Sequence, residues 1–191
     1  MTTVLMLLAV LAGTAAQEPA KPVHVVIETE AGEIEAEIDT VRAPITAANF
    51  LKYVDAGLFD GGRFFRTVRP DNQVDKPVKI AVIQAAGSRE RRPDFLPAIP
   101  LERTNVTGLS HKDGTLSMAR STPDTARDSF SICVGDQPAL DFGGARQPDG
   151  QGFAAFGRVV RGMDVVRTIQ MGPADGETLT PPIAILRTRR R

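Results

Sequence analysis

Apolar and polar residues alternate with a period of two in short runs along most of this chain. Residues 23–29 (VHVVIET) and 34–38 (IEAEI) flank Glu30-Ala31-Gly32, a turn carrying glycine, and predict a β-hairpin. Further strands are predicted at 63–68, 78–84, 116–119, 130–134, 154–160 and 183–186. Two segments change to helical spacing. Over 43–56, Ala47, Phe50, Leu51 and Val54 share one face, with Pro44 near the start and Gly57 just past the end. Over 162–170, Val165, Val166 and Ile169 are the apolar set of a second, short helix. Residues 87–114 are rich in Arg, Pro, Asp and Thr with little periodicity, which predicts a long loop. Compact domains keep loops of that length for function or pack them with their own side chains. Many short strands with only two helices point to a β-barrel or sandwich, and a barrel leaves no open edges.

The length of 191 residues suggests one domain. Lys+Arg and Asp+Glu both number 23, so no global field draws the chain to nucleic acid or an anionic membrane. Aromatics are 5% with no Trp, which also argues against a platform for stacking bases. No nucleic-acid partner is therefore expected, and the protein is expected to be a monomer. Residues 1–16 carry an apolar run at 4–12 and then the small residues Thr14-Ala15-Ala16, the shape of a secretory signal and its cleavage site. The run is too short to span a bilayer. Cleavage after about Ala16 would give a mature chain without a membrane span, in the periplasm or secreted. Residues 17–22 would then be a linker to a single domain at 23–191.

Two charged tracts read as solvated surface. Glu28, Glu30, Glu33, Glu35 and Glu37 form an acidic hairpin face, and 187–191 is a tail with four arginines in five residues. Cys133, the single cysteine, sits in an apolar run and reads as a buried thiol. His24 and His111 stand apart from any Ser/Asp arrangement in the sequence and read as structural.

Six strings carry more specific information. FFRTVRP (64–70), an isolated Gln84, GTLSMAR (114–120), SFSICVGD (129–136), ALDFGG (139–144) and FAAFGRVVRGMDVV (153–166) occur in that order. So read, the chain resembles the cyclophilins from about residue 23 to 186. The resemblance implies a closed antiparallel eight-stranded β-barrel capped by two α-helices, and peptidyl-prolyl cis-trans isomerase activity without metal or cofactor. It also implies a site. Arg66 takes the place of the catalytic arginine, with Phe65 where the family has histidine, and Gln84 takes the place of the glutamine that binds substrate backbone. Val82 stands where the family has part of a Phe-Met pair. Met118 and Ala119 match, Ala119 through its backbone, and Arg120 replaces an asparagine. Ser129 and Ser131 replace glutamine and phenylalanine, Leu140 matches a pocket leucine, and Phe153 replaces a histidine.

The chemistry asks for little else. The barrier to rotation about an amide, about 18–20 kcal/mol, comes from resonance. A fixed cation donating a hydrogen bond near the proline nitrogen favours the pyramidal, uncoupled form, and arginine stays charged and rigid. An apolar wall must hold the ring while the preceding carbonyl swings. Serines at 129 and 131 thin that wall, at roughly 1.5–3 kcal/mol for one lost aromatic contact. Two readings follow: an isomerase of exported proteins with weakened substrate binding, or a cyclophilin-like module that binds peptides or acts as a chaperone without turnover.

Overall fold

The computed structural model describes residues 22–191, the side chains of 92–94 excepted. The expected leader, its cleavage site and the linker up to residue 21 lie outside the described residues. Strands β1 (Val23–Thr29) and β2 (Gly32–Ile38) form the predicted hairpin, joined by Glu30 and Ala31. Then come β3 (Arg63–Val68), β4 (Val82–Ala86), β5 (Thr115–Met118), β6 (Phe130–Cys133), β7 (Ala154–Arg161), the two-residue β8 (Ala174–Asp175) and β9 (Thr178–Arg190). The order β1-β2-β7-β5-β6-β4-β3-β9 is antiparallel throughout and returns from β9 to β1, which closes an eight-stranded barrel. The short β8 only folds back on β9.

Helix α1 (Pro44–Asp55) and helix α3 (Met163–Gln170) are the two expected; a four-residue helix α2 (Thr104–Thr107) lies within the long loop. Ala43, at the cap position of α1, has no side chain to satisfy the first amides. The Glu102 carboxylate does so from the long loop, accepting from Ile45 N at 3.0 Å and Thr46 N at 2.7 Å. A negative charge there also suits the helix dipole. Phe50 of α1 is fully buried, with the ring centroids of Phe59, Phe130 and Phe156 each 5.2 Å from its own. Gly162 admits no other residue before α3: φ is +90°, and an added Cβ would lie 2.3 Å from the Glu33 carbonyl oxygen.

Three expectations need correction. β4 starts at Val82, not 78, so Gln84 sits in its middle. The closing strand runs from 178 to 190 instead of 183–186. The arginines at 187–191 are therefore not a solvated tail. Arg189 pairs with Glu28 at 2.9 Å, Arg190 holds Asp55 through two bonds at 2.7 and 2.6 Å, and Arg191 binds Glu35 at 2.5 Å. The acidic hairpin is the other half of this array. Arg191 and His24 hold the Glu35 carboxyl below the usual carboxylate range.

Candidate active site

One lateral row of outward residues crosses β3, β4, β6 and β5: Arg66 pairs with Gln84, Gln84 with Ser131, and Ser131 with Ser117. Plain alternation would not produce this row. Phe64 is fully buried, so Arg66, two residues on, would also face the core. The register shifts between Phe64 and Arg66 against both neighbouring strands, which makes Phe65 the extra residue of a β-bulge. That bulge turns Arg66 outward.

The guanidinium of Arg66 is fixed on two sides. Its Nε donates to Glu177 Oε2 at 2.9 Å, and its Nη2 donates to the same oxygen. Its Nη1 donates to Gln84 Oε1 at 2.8 Å. One N–H on each terminal nitrogen stays available to a substrate. Gln84 cannot flip its amide, because its Nε2 donates to Ser129 Oγ at 2.9 Å and that hydroxyl donates to the Ala85 carbonyl at 2.9 Å. Glu177, in the turn between β8 and β9, was not visible in the sequence as a site residue. Glu177→Ala would release the side of the guanidinium that faces away from Gln84. We expect turnover to fall about three- to tenfold, mostly in kcat, since small misplacements of a catalytic group are costly. An unchanged kcat in the folded variant would show that Gln84 alone positions Arg66.

Beside Arg66 lies a cavity of about 350 Å³. Eight of the expected residues line it: Arg66, Val82, Gln84 and Ala119, together with Arg120, Ser131, Leu140 and Phe153. Two do not. Met118 is 1% exposed and packs into the barrel core, because the outward position of β5 is Ser117. Ser129 lies on a neighbouring hollow with Phe65 and Phe95, and reaches the site only through Gln84. The apolar wall is a separate small cluster of Val68, Ile80, Val82, Cys133 and Leu140, with Ala139 and Phe153 against it. Phe153 thus supplies an aromatic face that Ser131 does not. Burial raises the Cys133 thiol far above its ordinary pKa, so it is a packing group here.

The edges of the groove are anchored. Ala119 N donates to the Ser129 carbonyl at 2.9 Å, which leaves the Ala119 carbonyl as the backbone group for an added strand. Arg120 is not a free cation: its terminal nitrogens grip Asp149 at 2.8 and 2.9 Å, and its Nε donates to the Gly152 carbonyl at 2.8 Å. It also stacks over the Phe153 ring, 5.1 Å from the centroid. His111, expected to stand apart from Ser and Asp, instead joins them. Its Nδ1 meets Asp141 Oδ1 at 2.7 Å and its Nε2 meets Ser117 Oγ at 2.8 Å. In the tautomer with hydrogen on Nδ1, the ring donates to Asp141 and accepts from the Ser117 hydroxyl. The ring is closed to solvent, so this chain of bonds ties the loop after Leu140 to the floor of the groove.

Comparisons with known proteins bear on the family and the fold. The family described as cyclophilin type peptidyl-prolyl cis-trans isomerase/CLD matches residues 24–190. Peptidyl-prolyl cis-trans isomerase A of Dickeya dadantii is 34% identical over 157 residues, 78% of this chain and 75% of its own length. A peptidyl-prolyl cis-trans isomerase of Acinetobacter baylyi is 36% identical over 148 residues, 77% of this chain and 71% of its own. The crystal structure of a Cryptosporidium parvum cyclophilin type isomerase superposes with a TM-score of 0.69 at 20% identity, covering 90% of this chain and 98% of its own. That last likeness concerns the fold; the matches in sequence decide the family. The chain belongs to the cyclophilin-type peptidyl-prolyl cis-trans isomerases, an enzyme family.

Proposed function

We propose that this isomerase acts on X-Pro bonds of polypeptides folding outside the cytoplasm, with Arg66 as the catalytic residue. The observation that carries the reading is the placement of Arg66. Its guanidinium is held rigidly by Glu177 and Gln84 at the rim of a cavity walled by Val82, Leu140 and Phe153. An extended substrate would lie along the Ala119 carbonyl with its proline ring against that wall. The remaining N–H groups of Arg66 would then donate toward the proline nitrogen, favouring the pyramidal form in which amide resonance is lost. No proton or bond is exchanged, so a fixed charge and a fixed wall are sufficient.

Phe153 supports proline binding, because it restores an aromatic surface to a groove that Ser131 leaves thin, and the fixed guanidinium of Arg66 favours turnover over a purely binding role. Export is supported by the apolar run at 4–12 and the small residues that follow it. Uncatalysed isomerisation takes tens of seconds, so modest acceleration would matter to a secreted chain. Two measurements test the proposal. The full-length gene product, isolated from extracytoplasmic fractions, should begin near Gln17 by mass spectrometry. It should also speed proline-limited refolding and cis–trans exchange in peptides. An intact residue 1 on cytoplasmic protein would remove the export half, and background exchange by folded protein would remove the catalytic half.

A further inference from the structure

The groove holds more positive charge than its own acids neutralise. Four cations line the cavity, Arg66, Lys76, Arg120 and Arg146, against one carboxylate, Glu177. Arg66 is paired with Glu177, and Arg120 with Asp149. Lys76 and Arg146 have no carboxylate partner among the described residues. Arg146 is nevertheless built in place. Its Nη1 donates to Gln73 Oε1 and to the Val78 carbonyl, both at 2.8 Å, and its backbone N donates to the Ala139 carbonyl at 3.1 Å. Gln73 is itself 1% exposed and clamped by the Arg69 and Ile80 backbone. Both hydrogens of Nη1 are thereby used, and the parallel Nε–H and Nη2–H pair is left open.

The contrast with Arg66 is informative. The corresponding Nε and Nη2 groups of Arg66 are occupied by a carboxylate of the same chain, Glu177. Those of Arg146 carry none. Such a fork matches a carboxylate in geometry as well as charge, and its rigidity lowers the entropy lost on binding. Burial and the neighbouring charge of Arg66 both hold the Arg146 guanidinium below its ordinary pKa, with Glu177 partly opposing them. An incoming anion would relieve that repulsion. Lys76 adds an exposed ammonium at the same rim, from the polar 69–81 loop that Arg146 stitches down.

Resting on the reading of this groove as the X-Pro site, we infer that it selects proline segments that carry an acidic side chain beside the proline. The Arg146 fork receives the carboxylate, and Lys76 attracts it from solvent. Neutral segments bind without that contact, and basic ones meet two unpaired cations.

The test is a peptide series with Glu, Gln or Lys immediately before or immediately after the proline. Catalysed exchange is measured by NMR at low and high salt, for wild type, Arg146→Gln, Arg146→Lys and Lys76→Gln. At one of the two positions Glu should exceed Gln about five- to tenfold in kcat/KM, and Lys should fall below Gln. The preference should shrink at high salt, because these charges are partly exposed. It should drop toward unity in Arg146→Gln, persist in part in Arg146→Lys, and weaken in Lys76→Gln. Lys76 is exposed, so its variant reports even if Arg146→Gln unfolds. Turnover of Gln and Glu peptides at equal rates would overturn the inference and leave the isomerase intact. So would a preference that survives Arg146→Gln undiminished. Absence of exchange with every peptide would instead strike the isomerase reading on which it rests.

Discussion

Replacing Arg66 with alanine is expected to lower kcat/KM for X-Pro exchange by about 100- to 1,000-fold, the usual effect of removing one preorganised donor from a developing charge. The loss should fall mainly on kcat, because the wall of Val82, Leu140 and Phe153 binds the ring with or without the guanidinium. Arg66→Lys separates charge from shape. A lysine cannot reach Glu177 and Gln84 at once in a planar fork, so it should recover only a small part of the rate. Circular dichroism would verify that both variants fold. Turnover within threefold of wild type in Arg66→Ala would remove this residue from the chemistry, whatever the resemblance around it.

The second large effect concerns stability. Phe130→Ala should cost about 3–5 kcal/mol, the range for deleting a buried aromatic ring. Phe130 is fully buried and meets Phe50 and Phe59 edge-on, with centroids at 5.2 and 5.4 Å, and Phe64 at 6.1 Å. For a domain of this size the melting temperature should fall by roughly 6–20 °C. Native domains are stable by only about 5–15 kcal/mol, so the variant should have a measurably larger unfolded fraction at 37 °C than wild type. Urea denaturation with a midpoint unmoved from wild type would contradict the packing described. Phe130 also lies between Ser129 and Ser131, so a cavity there would loosen the row that presents Gln84 and Arg66.

Much of the barrel was legible from alternation alone. β1, β3, β6 and β7 lie within a residue or so of the predicted runs, and Pro44 and Gly57 bracket α1. The failures have physical causes. Val78 and Ile80 looked like the start of a strand, but Ile80 is apolar because it builds the pocket wall. β9 was read as too short because Pro181 and Pro182 interrupt it. They fall in the gap between Thr178 and Ile183, where β3 shifts register and asks for no amide. The place of Arg66 on a strand was legible from the residues around it, yet its outward direction depends on a bulge that alternation does not encode. Glu177 was not legible at all. It meets Arg66 across 111 residues, and nothing local to it signals a site. Met118 matches the family in sequence but faces the core, because Ser117 holds the outward position on β5.

The closure between β1 and β9 joins residues far apart in the chain, Glu28 and Arg189 for example, a separation of 161. Closing a loop of that length costs about 4–5 kcal/mol in chain entropy before any contact repays it. Folding is therefore dominated by late, long-range pairing and should be slow for its size. Until β9 arrives, β1 and β3 are both unpaired edges able to recruit strands from other chains. The isomerase is thus itself exposed to strand-to-strand aggregation until β9 is in place.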